Sequence, residues 1–281
     1  MAETAPWACP SCDRPVSTPY CPDCGEREPH PRELTLRGLI DQVFEAFTNI
    51  DGRLLRSFRY LVSRPGFLTV SFLQGRRKPF VGPVGLFLVT NVLFFAAESL
   101  TGSTILSTPL DGHLNTQPWS ELAQPLVASR LAALHTSADL FAPRFDSAIA
   151  LHARSLILLM ALAFAVLPAI AFRGSRLPLA GHVVFSLHLY GFLLLLFCLG
   201  TPVPAAGVLA GWSASTAETL DGTFSIFLLA ACGIYLYFAS GAVYGGGRVA
   251  RGLKSAALAV GAAAIVLGYR FALLLITLYS A

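Results

Sequence analysis

Four cysteines in two pairs, Cys9-Pro10-Ser11-Cys12 and Cys21-Pro22-Asp23-Cys24, carry the clearest chemistry in this 281-residue chain. A Cys-x-x-Cys turn places two thiolates on one side of a tetrahedron, and the segment between Cys12 and Cys21 is long enough for a hairpin that brings the second pair opposite the first. Pro10 and Pro22 stand at matching positions and Gly25 follows the last ligand, which suits two tight knuckles. Cys9, Cys12, Cys21 and Cys24 are therefore read as ligands of one structural Zn²⁺. A redox pair is the competing reading, but redox Cys-x-x-Cys motifs are usually single and open a helix. Only Arg14 and Arg27 lie near the knuckles, without basic and aromatic interleaving, so nucleic acid is not an expected partner.

A second set of candidates lies inside long apolar runs. A charge in the bilayer core costs at least about 2.5 to 3.5 kcal/mol on insertion scales, so Glu98 and Arg270 need partners. Counted from the cytosolic ends of their spans, each lies about 21 Å into the membrane, and the equal depth predicts that the two pair. Asn91 and His188, each roughly 8 to 10 Å in, form an expected second layer. One reading makes these residues glue between helices. The other makes them a site or pathway for a proton, an ion or a lipid headgroup, with His152 and His182 as further members.

The elements that must position these residues are membrane helices. Hydrophobic residues make up 54% of the chain and charged ones 13%, with a mean hydropathy of +0.63, which is a membrane composition. Of the 20 Lys and Arg, 11 precede Val84, as do 9 of the 16 Asp and Glu, so a polar head leads into an apolar body. A span needs about 20 apolar residues. Residues 84–100, 155–172, 183–199, 224–244 and 255–279 qualify, and the expected fold is an all-α integral membrane protein with about five transmembrane helices. The boundaries are read as a ribbon over 1–30, amphipathic helices over 31–83 and a membrane domain over 84–281, with an extracytoplasmic helical loop at 101–154.

Orientation follows from charge. No secretory leader pattern opens the chain, and a reducing compartment suits the paired cysteines, so the N-terminus is expected in the cytosol. The loops after the second and fourth spans then face the same side and carry Arg173, Arg176, Arg248, Arg251 and Lys254, whereas Thr201 to Thr223 has neither Lys nor Arg. Five crossings put the C-terminus outside. Trp119 and Trp212 fall on the outer side, as interfacial anchors would. The apolar stretch from Pro202 to Ser213 is too short to cross and is read as re-entrant or surface-lying; counting it as a sixth crossing would leave the basic loop after Tyr244 outside. In the long outer loop, Leu126 to His135 and Leu140 to Leu151 have helical spacing, the latter broken by Pro143, and make either a structural cap or a roof over a ligand site. Cys198 and Cys232 fall in apolar spans as small hydrophobes.

In the head, Leu36 to Ile50 has a helical apolar stripe with Thr35 as its cap, closed by Asp51-Gly52. A second helix carries Leu54, Leu55, Phe58, Leu61 and Val62 on one face and Arg53, Arg56 and Arg59 on the other, and Pro65-Gly66 stops it. These helices either lie on anionic lipid or pack together in the cytosol. A third short helix, Phe67 to Leu73, leads to Gly75-Arg76-Arg77-Lys78-Pro79. Cations directly before a span are worth roughly 1 kcal/mol each near an anionic leaflet, so Arg76, Arg77 and Lys78 hold this end inside or contact a lipid headgroup.

No Gly-x-Ser-x-Gly elbow, P-loop or His-Glu-x-x-His is present, so no hydrolase or nucleotide chemistry is expected. The Cys-Pro-x-Cys knuckles, Leu34-Thr35-Leu36, Arg64-Pro65-Gly66, Gly75-Arg76-Arg77-Lys78 and His182-Val183-Val184-Phe185-Ser186-Leu187-His188 together resemble the bacterial membrane proteins of domain-of-unknown-function family 3667. The resemblance implies an integral inner-membrane protein with a cytosolic zinc ribbon and brings no reaction with it. The expected role is non-enzymatic: a scaffold, sensor or regulator in the lipid bilayer that docks a cytosolic protein partner through its ribbon. The alternative is a transporter or lipid-handling protein that uses Asn91, Glu98, His188 and Arg270.

Overall fold

The computed structural model describes residues 6–26, 28 and 52–281, apart from some side chains between 204 and 221. The helix expected over Leu36–Ile50 lies outside the described residues. The chain is mostly helical. Ahead of the helices a two-stranded antiparallel ribbon pairs β1 (Trp7–Ala8) with β2 (Pro15–Val16), with Trp7 opposite Val16 and Ala8 opposite Pro15. Its small core of Cys9, Val16 and Cys21 is separate from the core of the helical body.

The body begins with α1 (Gly52–Ser63) and α2 (Phe67–Leu73), followed by α3 (Pro83–Thr101). An outer cap follows, made of α4 (Leu110–Asn115), α5 (Ser120–Ala133) and the first part of α6 (Ala138–Leu156). After it come α7 (Leu158–Ala171), α8 (Leu179–Gly200), the short α9 (Pro202–Ala210), α10 (Ala214–Tyr244) and α11 (Arg248–Ser280). Among the described residues, four helices are long and apolar enough to cross a membrane: α3, α8, α10 from Gly222, and α11. A fifth crossing is obtained if the bent pair α6 and α7 is one span. Alone, α7 reaches only about 21 Å against a core of about 30 Å, so the end of α6 has to complete it.

Helix α8 is apolar on every face, the pattern of a helix within a core or a membrane, and here it is surrounded by protein. It packs against α3, α7, α10, α9 and both head helices. Of its apolar window 78% is buried, against 28% for each of α10 and α11, whose outer faces Ile226, Phe227, Ile234, Phe238 and Val260 are left for lipid.

Two sequence expectations change. Pro143 does not break the outer helix: α6 runs through it, giving up one backbone bond, and the chain bends by 46° at Ile157 instead. The stripe Phe141, Phe145, Ile149 and Ala153, one residue per turn, is buried along α6 and holds it straight across the proline. The segment 202–213 is a short helix against α3 and α8 that turns back at Gly211, whose φ is 63°.

The head helices are also not a domain apart. Leu61, Leu68 and Phe72 belong to the same core as the spans, with Leu54 and Phe58 packed against it. Leu55 and Val62 stay exposed, so the apolar stripe of α1 splits, one edge facing the body and the other open. The Ser57 hydroxyl donates to Arg53 O at 2.8 Å and accepts the Val81 N–H at 2.9 Å, tying α1 to the entrance of α3.

Gly66 explains the stop between α1 and α2. Its φ is 84°, and a Cβ there would lie 2.8 Å from Ala239 O and 2.9 Å from Ala239 Cα on α10. Gly102, at φ 67°, has nothing within 4 Å of that position. Gly102→Ala should therefore cost only the conformational part, about 1 kcal/mol, and Gly66→Ala roughly 2–4 kcal/mol because α10 must also move. Thermal unfolding of the two variants in detergent checks this, and equal losses would mean that the approach to α10 carries no weight.

Candidate metal centre and the polar junctions of the body

Each knuckle is closed by the same pair of backbone bonds. Cys9 N–H donates to Arg14 O at 2.8 Å and Asp13 N–H to Cys9 O at 2.8 Å; Cys21 N–H donates to Glu26 O at 2.7 Å and Gly25 N–H to Cys21 O at 2.8 Å. The turns need a left-handed residue after the second cysteine of each pair, supplied by Asp13 (φ 58°) and Gly25 (φ 69°). Arg14 pairs with Asp23 at 2.6 Å across the two turns, and Trp7 Nε1 donates to Thr18 O at 2.8 Å.

The result is a four-sulfur cluster. The Sγ atoms of Cys9 and Cys24 are 3.5 Å apart, those of Cys12 and Cys21 3.5 Å, and those of Cys24 and Cys12 3.8 Å, with all four within 4.8 Å of one another. Ligands about 2.3 Å from a tetrahedral ion have edges of about 3.8 Å, so the cysteines fit a metal and the arrangement is compatible with a zinc ribbon. Electrostatics point the same way. The backbone N–H of Cys24, then that of Asp23, bring the Cys21 thiol down to about 7, favouring a thiolate. Burial pushes Cys24 up to about 12, so a thiolate there needs a cation beside it.

A residue not singled out in the sequence joins this centre to the body. Glu26 is 3% exposed, and its Oε2 accepts from Ser11 Oγ at 2.6 Å, from Arg77 N at 3.0 Å and from Lys78 N at 2.9 Å. The ribbon thus sits on the basic turn before α3. Arg77 lies over the Phe72 ring at 5.0 Å, and Arg76, Arg77 and His188 line a small cleft with Phe72, Phe80 and Pro83.

Inside the body, the four candidate polar residues find partners other than those equal depth suggests. His188 Nδ1 is bonded to Thr69 Oγ1 of α2 at 2.8 Å rather than to Asn91, which lies buried on α3. Glu98 Oε1 accepts the Leu106 N–H at 3.0 Å, and Oε2 the Ser107 hydroxyl at 3.5 Å. Arg270 donates from Nε and Nη2 to Thr108 Oγ1 at 3.1 and 2.8 Å. Glu98 and Arg270 therefore meet on the same loop, and Asp146 of α6 adds a third hold through the Leu110 N–H at 2.8 Å. His152 bonds Thr277 at 2.9 Å and His182 bonds Tyr244 at 2.9 Å, each joining two helices.

The cap also claims Trp119. Its Nε1 donates to His113 Nδ1 at 3.1 Å and its ring meets Phe271 edge-on, so it joins the cap to α11. His113 is fully buried on α4, and burial, then the Arg270 guanidinium, brings it down to about 4. Its only sequence signal was an isolated histidine six residues before a tryptophan.

Residues 51–95 match the family model described as "Protein of unknown function (DUF3667)". The match covers α1, α2, the basic turn and most of α3, and so includes Gly66, Thr69, Arg76 to Lys78 and Asn91; the cysteines and α8 lie outside it. No curated protein and no solved structure matches the chain.

Two outcomes follow from the outer junction. Glu98→Arg and Arg270→Glu should each cost roughly 1–3 kcal/mol, and the double exchange should restore nothing, because the two side chains serve different atoms of the loop. Recovery of stability in the double variant would show a direct pair. His113 binds its proton in the unfolded chain near pH 6.5 but in the folded one only near pH 4. Its contribution is thus complete above pH 6.5 and lost as pH falls toward 4, by about 2–3 kcal/mol. Trp119 fluorescence during thermal unfolding should show that loss, and His113→Gln should flatten it.

Proposed function

We propose that the four cysteines hold one structural Zn²⁺ and that the chain is a multi-pass protein of the bacterial inner membrane. In this reading its five crossings leave the N-terminal ribbon in the cytosol and the C-terminus outside. The ribbon is a docking module of a non-enzymatic scaffold, sensor or regulator, and a cytosolic protein is its partner. The observation that carries this reading is the seam at Glu26: a separate metal module is seated by hydrogen bonds, not by a shared apolar core, on the turn that leads into the first span. Thiolate ligands select zinc among the common divalent ions of a reducing compartment, and a four-cysteine site leaves no open coordination position for chemistry.

The interior supports the same role. Ser186 of α8 bonds the Ala161 carbonyl of α7, Ser240 and Ser255 bond each other at 3.1 Å between α10 and α11, and Tyr269 donates to Ala153 O at 2.6 Å. Together with the His188–Thr69 bond these groups pair helices, as interhelical glue does, while Glu98 and Arg270 hold the loop after α3.

Protein isolated from membranes should contain one zinc per chain, lost in Cys9→Ser and Cys21→Ser while the body keeps its thermal transition. A photo-crosslinking residue at the exposed Tyr20 should give one discrete adduct in cells that the Cys9→Ser background abolishes. Absence of zinc, or an adduct indifferent to the cysteines, would refute the docking role. Loss of a cellular phenotype in Arg270→Leu protein that is still fully folded would favour transport or lipid handling instead.

A further inference from the structure

We propose that the turn holding Glu26 is a phosphate site, and that an anionic phosphate competes with the Glu26 carboxylate and releases the ribbon from the membrane body. This deepens the docking reading above by naming what controls the ribbon's position. Two consecutive backbone N–H groups, those of Arg77 and Lys78, converge on one carboxylate oxygen at 3.0 and 2.9 Å, which is the geometry of an anion-binding nest. A non-bridging oxygen of a phosphodiester offers the same acceptor to the same two donors, and a headgroup without a cation of its own, unlike a choline headgroup, brings no positive charge against Arg76, Arg77 and Lys78. Arg76, Arg77 and Lys78 bring three positive charges to this turn, and Arg76 and Arg77 also line the cleft with Phe80 and His188.

Position and cost favour exchange. The nest lies five residues before Pro83, where α3 enters the apolar layer, and so at the height of lipid headgroups. Release of Glu26 opens no apolar core, because the ribbon's core of Cys9, Val16 and Cys21 is its own. The carboxylate keeps its bond from Ser11 Oγ, at 2.6 Å within the ribbon, and gains water for the two donors it leaves. One anion replaces another in the nest, so a change in leaflet composition suffices to shift the population.

The zinc-loaded full chain, carrying encoded spin-label amino acids at the exposed positions Tyr20 and Val249, is placed in nanodiscs and the inter-label distance distribution is recorded. In phosphatidylcholine the distribution should be narrow. Phosphatidylglycerol should broaden it, with a roughly tenfold or larger shift in the released-to-docked ratio. Glu26→Ala in phosphatidylcholine should be released already, with unchanged zinc content showing that its ribbon is folded. Release by millimolar inorganic phosphate in a phosphatidylcholine disc would assign the site to free phosphate, whereas release by phosphatidylglycerol alone assigns it to a headgroup. A narrow distribution under both anions, or a Glu26→Ala ribbon that stays docked, would overturn the proposal. Neither result touches the zinc and partner reading, because no partner is present in the assay.

Discussion

His182, Ser186 and His188 on the otherwise apolar α8 need hydrogen-bond partners that lipid cannot supply, and α8 imposes that requirement on everything around it. Its neighbours α3, α7 and α10 cover most of its length. They do not suffice at one end, where Thr69, Leu61 and Leu73 from the head helices close over His188, Gly191 and Gly181. The head is folded into the body because α8 would otherwise present apolar surface and an imidazole to water. Glycines along α8 make the enclosure tight: a Cβ at Gly191 would lie 3.5 Å from Thr90 Oγ1 on α3 and 3.7 Å from Leu61 on α1. Packing of this kind is the main attraction between helices in lipid, where burying apolar surface gains little.

Once α8 is enclosed, what remains is to satisfy the backbone where the chain leaves the spans. The outer loop after α3 shows how this is done. Glu98, Asp146 and Arg270, from three helices, each hold a backbone or hydroxyl group between Leu106 and Leu110. The same cap reaches the end of α11, where Arg130 donates to the Leu278 carbonyl at 3.1 Å, a cation against the negative end of the helix dipole. On the other side Ser57 receives the Val81 N–H and Glu26 receives those of Arg77 and Lys78. Both ends of α3 are thus fixed by side chains that accept from the flanking loops, and the spans can be apolar because the polar work is done at their ends.

How much of this was legible in the sequence follows from the range of each interaction. Spans at 84–100, 183–199, 224–244 and 255–279 are read from length and hydropathy, which are local, and an apolar helix covers each of them, the last one starting seven residues earlier at Arg248. The four-cysteine cluster is legible for the same reason, since Cys-x-x-Cys spacing alone sets the knuckle. Glu98 and Arg270 both bond the loop at 106–108, and depth along a span does not count the backbone N–H and hydroxyl groups of such a loop. Those groups are the nearer partners. Likewise His188 was matched with Asn91 on a span, whereas its partner Thr69 sits on a helix that amphipathicity alone leaves undecided between lipid surface and body. Glu26 had no local pattern to mark it: its partners are 51 and 52 residues away and are main-chain groups of basic residues.

The strength of the Glu26 seam sets what the ribbon can do. Hydrogen bonds to a charged group contribute about 1.5–3 kcal/mol each, so two of them from the turn hold the ribbon by a few kcal/mol at most once the ordering of the joint is subtracted. That is small beside the apolar core of the body, which the ribbon does not enter. It is also small beside the roughly 10–16 kcal/mol that structural zinc supplies to folded zinc fingers, so with the proposed zinc bound the ribbon would stay folded on release. The order of these energies makes the metal module the durable part and its seat the adjustable one. Its seat is the pair of N–H groups of Arg77 and Lys78 just before α3, and the separate cores of ribbon and body mean that the proposed release would break neither.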